Sequence, residues 1–165
     1  MSKTQQALME AFAGESQANR KYLAFAARAD QEGFSQAAKL FRAAAEAETV
    51  HAHAHLRAAK GIRSTQENLK EAIAGETYEF ESMYPPMIEA AKAEGNKEAE
   101  RSFTYAFEVE KIHARLYQEM LDNLATSKET FSYYVCPVCG FTIEKEAPET
   151  CPICGAKGKV FKKID

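Results

Sequence analysis

Two segments of the chain place a glutamate three residues before a histidine: Glu48-Thr49-Val50-His51 and, 62 residues later, Glu110-Lys111-Ile112-His113. The surroundings repeat as well. Ala11-Phe12-Ala13-Gly14-Glu15 returns as Ala72-Ile73-Ala74-Gly75-Glu76, and Glu46-Ala47 before the first pair matches Glu108-Val109 before the second. The chain through about residue 126 therefore reads as two copies of one unit. Whatever it folds into must hold two equivalent helix pairs and must find a counter-charge for their acidic residues.

Helix signals divide this part into four segments of about 25–30 residues, each ~40 Å long at ~1.5 Å per residue. Ser2 with Gln5 resembles a capping box, and Ser64 with Glu67 offers another. Gly33, Gly61 and Gly95 stop successive helices, while Ser35 and Asn96 are placed to cap the next ones. Pro85 and Pro86 fall inside the third segment and are expected to kink or interrupt it. Four helices with short loops predict a mainly α bundle.

The apolar stripes of these helices are interrupted by charge. Leu8, Phe12, Glu15 and Tyr22 share a face of the first helix, and Leu40, Phe41, Ala44, Glu48 and His51 one of the second. Leu69, Ala72, Ile73, Glu76, Glu79, Phe80 and Met83 share the third; Phe103, Phe107, Glu110, His113, Tyr117 and Leu121 share the fourth. Five glutamates and two histidines thus fall near the middle of four apolar faces. Burying even one unpaired carboxylate is prohibitive, so the group must be protonated or must enclose cations. Two divalent or trivalent metal ions balance that charge. One Glu on each of two helices plus Glu-x-x-His on each of the other two is the di-iron or di-manganese carboxylate pattern. Oxygen and imidazole donors suit iron or manganese better than a thiolate-seeking metal.

A single Glu-x-x-His in an Ala-rich helix is usually a solvated face; two copies in register, each matched to an Ala-Gly-Glu, are not. Glu46 and Glu108 point elsewhere by spacing, and His53 and His55 read as solvated. Tyr22 is either a core tyrosine or a hydrogen-bond partner to a metal ligand. Glu79 has no counterpart in the first copy, where Ala18 stands, and makes a seventh ligand candidate.

The composition changes near Thr126. Beyond it lie all four cysteines and three of the five prolines. Cys136-Pro137-Val138-Cys139-Gly140 and Cys151-Pro152-Ile153-Cys154-Gly155 are two knuckles separated by eleven residues, a tetrahedral four-thiolate pattern. The segment is too small to fold on an apolar core alone. No histidine follows either knuckle, so c-type haem attachment is excluded. Zinc would make a structural ribbon and iron a one-electron carrier. The neighbouring dinuclear pattern favours iron, because a redox centre needs an electron supply.

Net charge is −3 with no basic face, which argues against nucleic acid. No apolar stretch is long enough to span a membrane, and the N-terminus carries no secretory apolar region, so a cytoplasmic location is expected. In that compartment clustered cysteines hold metal rather than disulfides.

Together the Ala-Gly-Glu of Glu15, Glu48-Thr49-Val50-His51, Glu76-Thr77-Tyr78-Glu79 with Met83-Tyr84-Pro85, Glu110-Lys111-Ile112-His113 and both Cys-Pro-x-Cys-Gly knuckles resemble the rubrerythrins. The resemblance covers nearly the whole chain. It implies a ferritin-like four-helix domain over 1–126, and a linker with a small β-rich rubredoxin-like domain over 127–165. It implies that Glu48 and Glu110 bridge two irons. Glu15 would bind one iron with His51 or Glu79, according to oxidation state, and Glu76 and His113 would bind the other. Cys136, Cys139, Cys151 and Cys154 would hold a single iron, with zinc an alternative in recombinant protein. The implied activity is reduction of hydrogen peroxide to water, in defence against oxidative stress. Electrons would come from an NAD(P)H-linked flavoprotein or a rubredoxin. The alternatives are a ferroxidase or iron-storage protein, and a metal-stapled scaffold with a zinc ribbon.

The connector around Gly61–Ser64 is short. A ferritin-like bundle sets its second and third helices parallel, and four residues reach at most ~14 Å. The sequence therefore predicts a homodimer in which hairpins are exchanged: Glu15, Glu48 and His51 from one chain would meet Glu76, Glu79, Glu110 and His113 from the other. A simple up-and-down bundle within one chain is the alternative.

Overall fold

The structure, a computed structural model, describes residues 2–165. Four helical segments are followed by a small three-stranded sheet, the order the sequence predicts. The chain forms two compact units that meet at Arg63 and Ser64, within the short connector.

The first unit is a hairpin of α1 (Lys3–Gln31) and α2 (Ser35–Ala58). Ser2 caps α1 by accepting from the Gln5 amide at 3.1 Å. Gly33 turns the chain at φ +82°, and the Phe34 amide closes back on the Ala29 carbonyl. This closure leaves Phe34 at the N-cap position without a side-chain bond, and Ser35 is already inside the helix rather than capping it. The seam between the helices is built of small residues: Ala26, Ala29, Ala38, Ala45, Ala52 and Ala59 are all buried. Alanines let the backbones approach closely, and a polar tie fixes the register. Asn19, itself buried, donates from Nδ2 to the Ala45 carbonyl at 2.6 Å and to Thr49 Oγ1 at 2.8 Å. At the far end Gln5 Nε2 donates to the Ala59 carbonyl at 2.9 Å. Among larger residues, Tyr22 and Phe25 of α1 meet Phe41 of α2, while Phe34, Leu40 and Val50 are exposed.

The stop of α2 differs in detail from expectation. Lys60, not Gly61, takes the left-handed conformation, at φ +56°. The Gly61 amide closes on the Leu56 carbonyl at 2.9 Å, and a Cβ at this position would require the Leu56 side chain to shift.

The second unit opens with α3 (Thr65–Tyr78), which begins with the expected reciprocal capping box between Ser64 and Glu67. A single π turn (Glu79–Met83) leads into α4 (Tyr84–Ala93). The prolines explain the π turn. Pro85 and Pro86 lack the amides that would continue an α ladder, and the chain widens just before them, with Tyr84 donating five residues back to the Glu79 carbonyl. After a turn at Gly95, α5 (Lys97–Asn123) starts with Asn96 accepting from the Ala99 amide. α3 and α4 both pack on α5. None of the described helices is long and apolar enough to cross a membrane.

The sheet has the order β2 (Thr142–Glu144), β1 (Tyr133–Val135), β3 (Lys162–Ile164), antiparallel throughout, with Tyr134 paired to Ile143 and Lys163. Its core is not self-contained. Cys136, Phe141 and Cys151 form one buried cluster with Val109 from α5, flanked by Ile112, Ile143 and Phe161. The cysteine knuckles are thereby seated on the helix that carries the second Glu-x-x-His.

Candidate metal centres

Glu-x-x-His spacing on a helix sets a carboxylate and an imidazole one turn apart on the same face. In α2 this brings His51 Nδ1 to 2.8 Å from Glu48 Oε2, and Glu15 of α1 stands 3.9 Å away. In the second unit His113 Nδ1 lies 2.8 Å from Glu110 Oε2 and 3.9 Å from Glu76 Oε2 of α3. The duplication in sequence is therefore a duplication in geometry: each triad has the same donors at the same spacings. In each, the donor atoms lie within 4.8 Å of one another.

The surroundings differ. The His113 side chain is 27% exposed and the His51 side chain 54%. His113 is held from both sides, since its Nε2 meets Thr142 Oγ1 at 3.0 Å. Among the described residues, His51 has only carboxylate partners.

Electrostatics favours a cation at the second triad. Burial pushes the Glu76 carboxyl up to about 7, helped by the hydrogen bond and charge of Glu110, while His113 pulls it down. Glu79, at the start of the π turn, is raised by burial and then by Glu110. His113 is raised chiefly by its hydrogen bond to Glu110, against burial, with the charges of Glu110 and Glu76 and the Gly140 carbonyl adding to it. Carboxylates that resist ionising beside one another are what a multivalent cation stabilises. The donor chemistry fits the metal pair read from the sequence: each triad supplies two carboxylates and one imidazole.

A pH dependence follows. Glu76 and His113 both bind protons more tightly folded than unfolded. That contribution to stability is full below about pH 4.5 for Glu76 and is lost as pH rises through about 7. The metal-free protein should melt at progressively lower temperature from about pH 5 to about pH 8, and metal uptake near pH 6 should release protons. Calorimetric melts of metal-free and metal-loaded protein check this; a flat metal-free profile across that range would contradict it.

The four cysteines converge as a tetrahedron. Cys136 Sγ is 3.6 Å from Cys154 Sγ, and Cys139 Sγ is 3.5 Å from Cys151 Sγ. A metal bound at ~2.3 Å to each sulfur needs S···S edges of about 3.8 Å, and a disulfide would need ~2.0 Å. Gly140 and Gly155, at φ +85° and +77°, turn each knuckle so that amides reach the sulfurs. Burial pushes the Cys136 thiol up, but the Val138 and Cys139 amides outweigh it and leave the group below its ordinary value. The Cys139 and Cys154 thiols are raised by burial, against the opposing Phe141 and Ala156 amides. Such a set of crowded thiols with amides aimed at sulfur fits a thiolate-bound metal.

Of the remaining candidates, the Tyr22 ring packs against Phe25 and Phe41, with centroids 6.3 and 6.2 Å away. Glu108 pairs with Lys111, off the face of the triad. His53 is exposed and His55 half-buried. Thr142 is the residue the sequence reading missed. A threonine two positions beyond a knuckle glycine looks like an ordinary strand residue, and nothing local says that it meets a helix.

Comparison with known proteins agrees with this architecture. A family model described as rubrerythrin matches residues 6–121, and one described as the rubrerythrin, rubredoxin-like domain matches 134–162. Rubrerythrin-2 of Clostridium acetobutylicum is 39% identical, covering 94% of this chain and 93% of its own. The rubrerythrin of Porphyromonas gingivalis is 37% identical over 99% and 90%. Among solved structures, nigerythrin in a fully reduced, all-ferrous state superposes with a TM-score of 0.60 at 32% identity, covering 99% of this chain and 88% of that one.

Proposed function

The chain belongs to the rubrerythrin family, and from that premise we propose that it reduces hydrogen peroxide to water at a dinuclear iron site fed with electrons by its four-cysteine centre. The observation that carries this reading is that the cysteine core packs on the helix that bears the second carboxylate–imidazole pair. Glu110 and His113 lie on α5, and Val109 of the same helix packs into the cysteine core.

Peroxide reduction takes two electrons and two protons per molecule and yields two waters. When bound, an iron pair supplies the two electrons together, and a thiolate-bound iron replaces them singly. The residues that would hold the pair are Glu15, Glu48 and His51 with Glu76, Glu79, Glu110 and His113. Glu48 and Glu110 are suited to bridging, since each already contacts its histidine and is the least exposed carboxylate of its triad. Glu79 offers a further carboxylate at the π turn, where an inserted residue alters the direction of the side chain. Cys136, Cys139, Cys151 and Cys154 would hold the single iron. Between the two sets runs a bonded connection: Cys139 to the Gly140 carbonyl, to the Thr142 hydroxyl, to His113.

The domain organisation we propose is a ferritin-like part over 1–126 and a rubredoxin-like part over 127–165. We assign the donor of reducing equivalents to an NAD(P)H-linked flavoprotein or a rubredoxin, and the site of action to the cytoplasm. Each triad alone offers three protein donors, too few for two irons. With so short a connector at Gly61–Ser64, the triads of two chains complete one another in an exchanged homodimer. Sedimentation of the iron-loaded protein should give a dimer; a stable monomer with a full iron complement would refute the exchange.

The activity is tested by supplying a reducing flavoprotein and following NADH and peroxide anaerobically. One NADH consumed per peroxide supports the proposal. Slow peroxide reduction with uptake of excess iron would instead indicate an iron-oxidising protein.

A further inference from the structure

We infer that Thr142 is a positioning residue that fixes which nitrogen of His113 keeps its proton when metal binds, and so presents Nδ1 to the metal. This rests on the reading of His113 as a ligand. The argument is one of hydrogen-bond direction. Thr142 Oγ1 lies 3.0 Å from the Gly140 carbonyl and 3.0 Å from His113 Nε2. A carbonyl only accepts, so the single hydroxyl proton of Thr142 goes to Gly140. The hydroxyl then has only lone pairs to offer the imidazole, and Nε2 must be the donor. Nδ1 donates to Glu110 at 2.8 Å, with Glu76 at 3.9 Å, so without metal each ring nitrogen carries a proton; a bound metal would displace the one on Nδ1 while Thr142 holds the one on Nε2.

The alternative partners for Nε2 are poor. His113 and Thr142 line a cavity of about 350 Å³ whose other walls include Leu69, Leu116, Tyr117 and Met120. An N–H facing that largely apolar space would lose its hydration without compensation. The other acceptor near the ring is the Gly140 carbonyl, which has a second lone pair beside the one that takes the Thr142 proton and, like the hydroxyl, can only receive a proton from the ring. β2 brings Thr142 to this point because the Cys136–Cys139 knuckle ends in Gly140 and the strand begins two residues later. The geometry of the cysteine centre is thus transmitted to the imidazole through one hydroxyl. His51 has no equivalent tether among the described residues, so the two histidines of the repeat are not interchangeable.

The test uses full-length protein loaded with zinc alone, which is diamagnetic, and ¹⁵N-labelled histidine. In the unaltered protein, long-range ¹H–¹⁵N spectra should show His113 with a protonated, slowly exchanging Nε2 and a metal-shifted Nδ1. Thr142→Val keeps the shape and removes the hydroxyl. It should speed exchange of the Nε2 proton at least about tenfold and weaken zinc at the carboxylate site about tenfold or more in chelator competition. Thr142→Ser should restore both. An unchanged Nε2 signal and unchanged zinc affinity in Thr142→Val would assign the tether to the Gly140 carbonyl and overturn the role of Thr142. Absence of any zinc shift at Nδ1 in the unaltered protein would instead refute the ligand reading. An intact four-cysteine site and an unaltered melting curve confirm that the variants are folded.

Discussion

Glu110→Ala should lower peroxide turnover by more than about a hundredfold and leave the carboxylate site short of metal. Glu110 is the hub of the second triad. It holds His113 Nδ1 at 2.8 Å, its charge and hydrogen bond help push Glu76 up to about 7, and it raises Glu79 as well. Its side chain is only 15% exposed, so no solvent exchange replaces it cheaply. Removing it frees His113 from its helix-borne partner and takes away one of the carboxylates able to span two metals. Glu110→Gln is the sharper variant, since it keeps the volume and removes the charge; it should lose metal almost as fully. Glu108→Ala is the control. That residue pairs with Lys111 at 3.0 Å off the triad's face, and its loss should change turnover by less than about twofold. Iron per chain and initial rates measured together decide the matter. Full iron and normal rates in Glu110→Ala would remove the second triad from the site.

The next largest effect is expected from Cys136→Ser. Cys136 is 1% exposed and belongs to the cluster that joins the small sheet to α5. Each strand of that sheet has three residues, far too little surface to fold unaided. A bound metal contributes on the order of 10 kcal/mol to such a unit, and losing one thiolate removes much of it. Amides of β1, β2 and β3 should lose most of their protection from hydrogen exchange, while those of α1 and α2 keep theirs. Function should divide in the same way. A single oxidation of the reduced, iron-loaded protein by one equivalent of peroxide should still occur, slowed no more than in Thr142→Val, because the triads remain although His113 loses its Thr142 partner. Steady-state turnover should fall by more than about a hundredfold, because the path through Gly140, Thr142 and His113 is lost. Undiminished steady-state turnover would mean that electrons enter by another route.

What could be read from the sequence was what depends on spacing along one helix or one turn. Glu48 with His51, Glu110 with His113, the capping box at Ser64 and the two knuckles are all local patterns, and local geometry suffices to place their atoms. Other features depend on contacts that spacing does not encode. Lys60 rather than Gly61 takes the left-handed conformation where the helix end closes with the Lys60 amide on the Arg57 carbonyl and the Gly61 amide on that of Leu56. Ser35 does not cap α2 because the closure of α1 onto Phe34 leaves it inside the helix. The prolines announced a break, but its form as a π turn starting at Glu79 follows from which carbonyl accepts the Tyr84 amide. The Thr142 contact, 29 residues from His113, lies beyond any pattern in a single segment.

The central claim is that this chain couples a two-electron carboxylate centre to a one-electron thiolate centre in the reduction of peroxide. Anaerobic stopped-flow mixing of the fully reduced, iron-analysed protein with hydrogen peroxide tests it most directly, with the visible absorption of the ferric–thiolate centre as the signal. The account predicts rapid appearance of that colour, with one peroxide consumed per two electrons and water as the product. Slow oxidation by peroxide beside rapid oxidation by dioxygen, or a colourless four-cysteine site filled with zinc in a fully active protein, would contradict it.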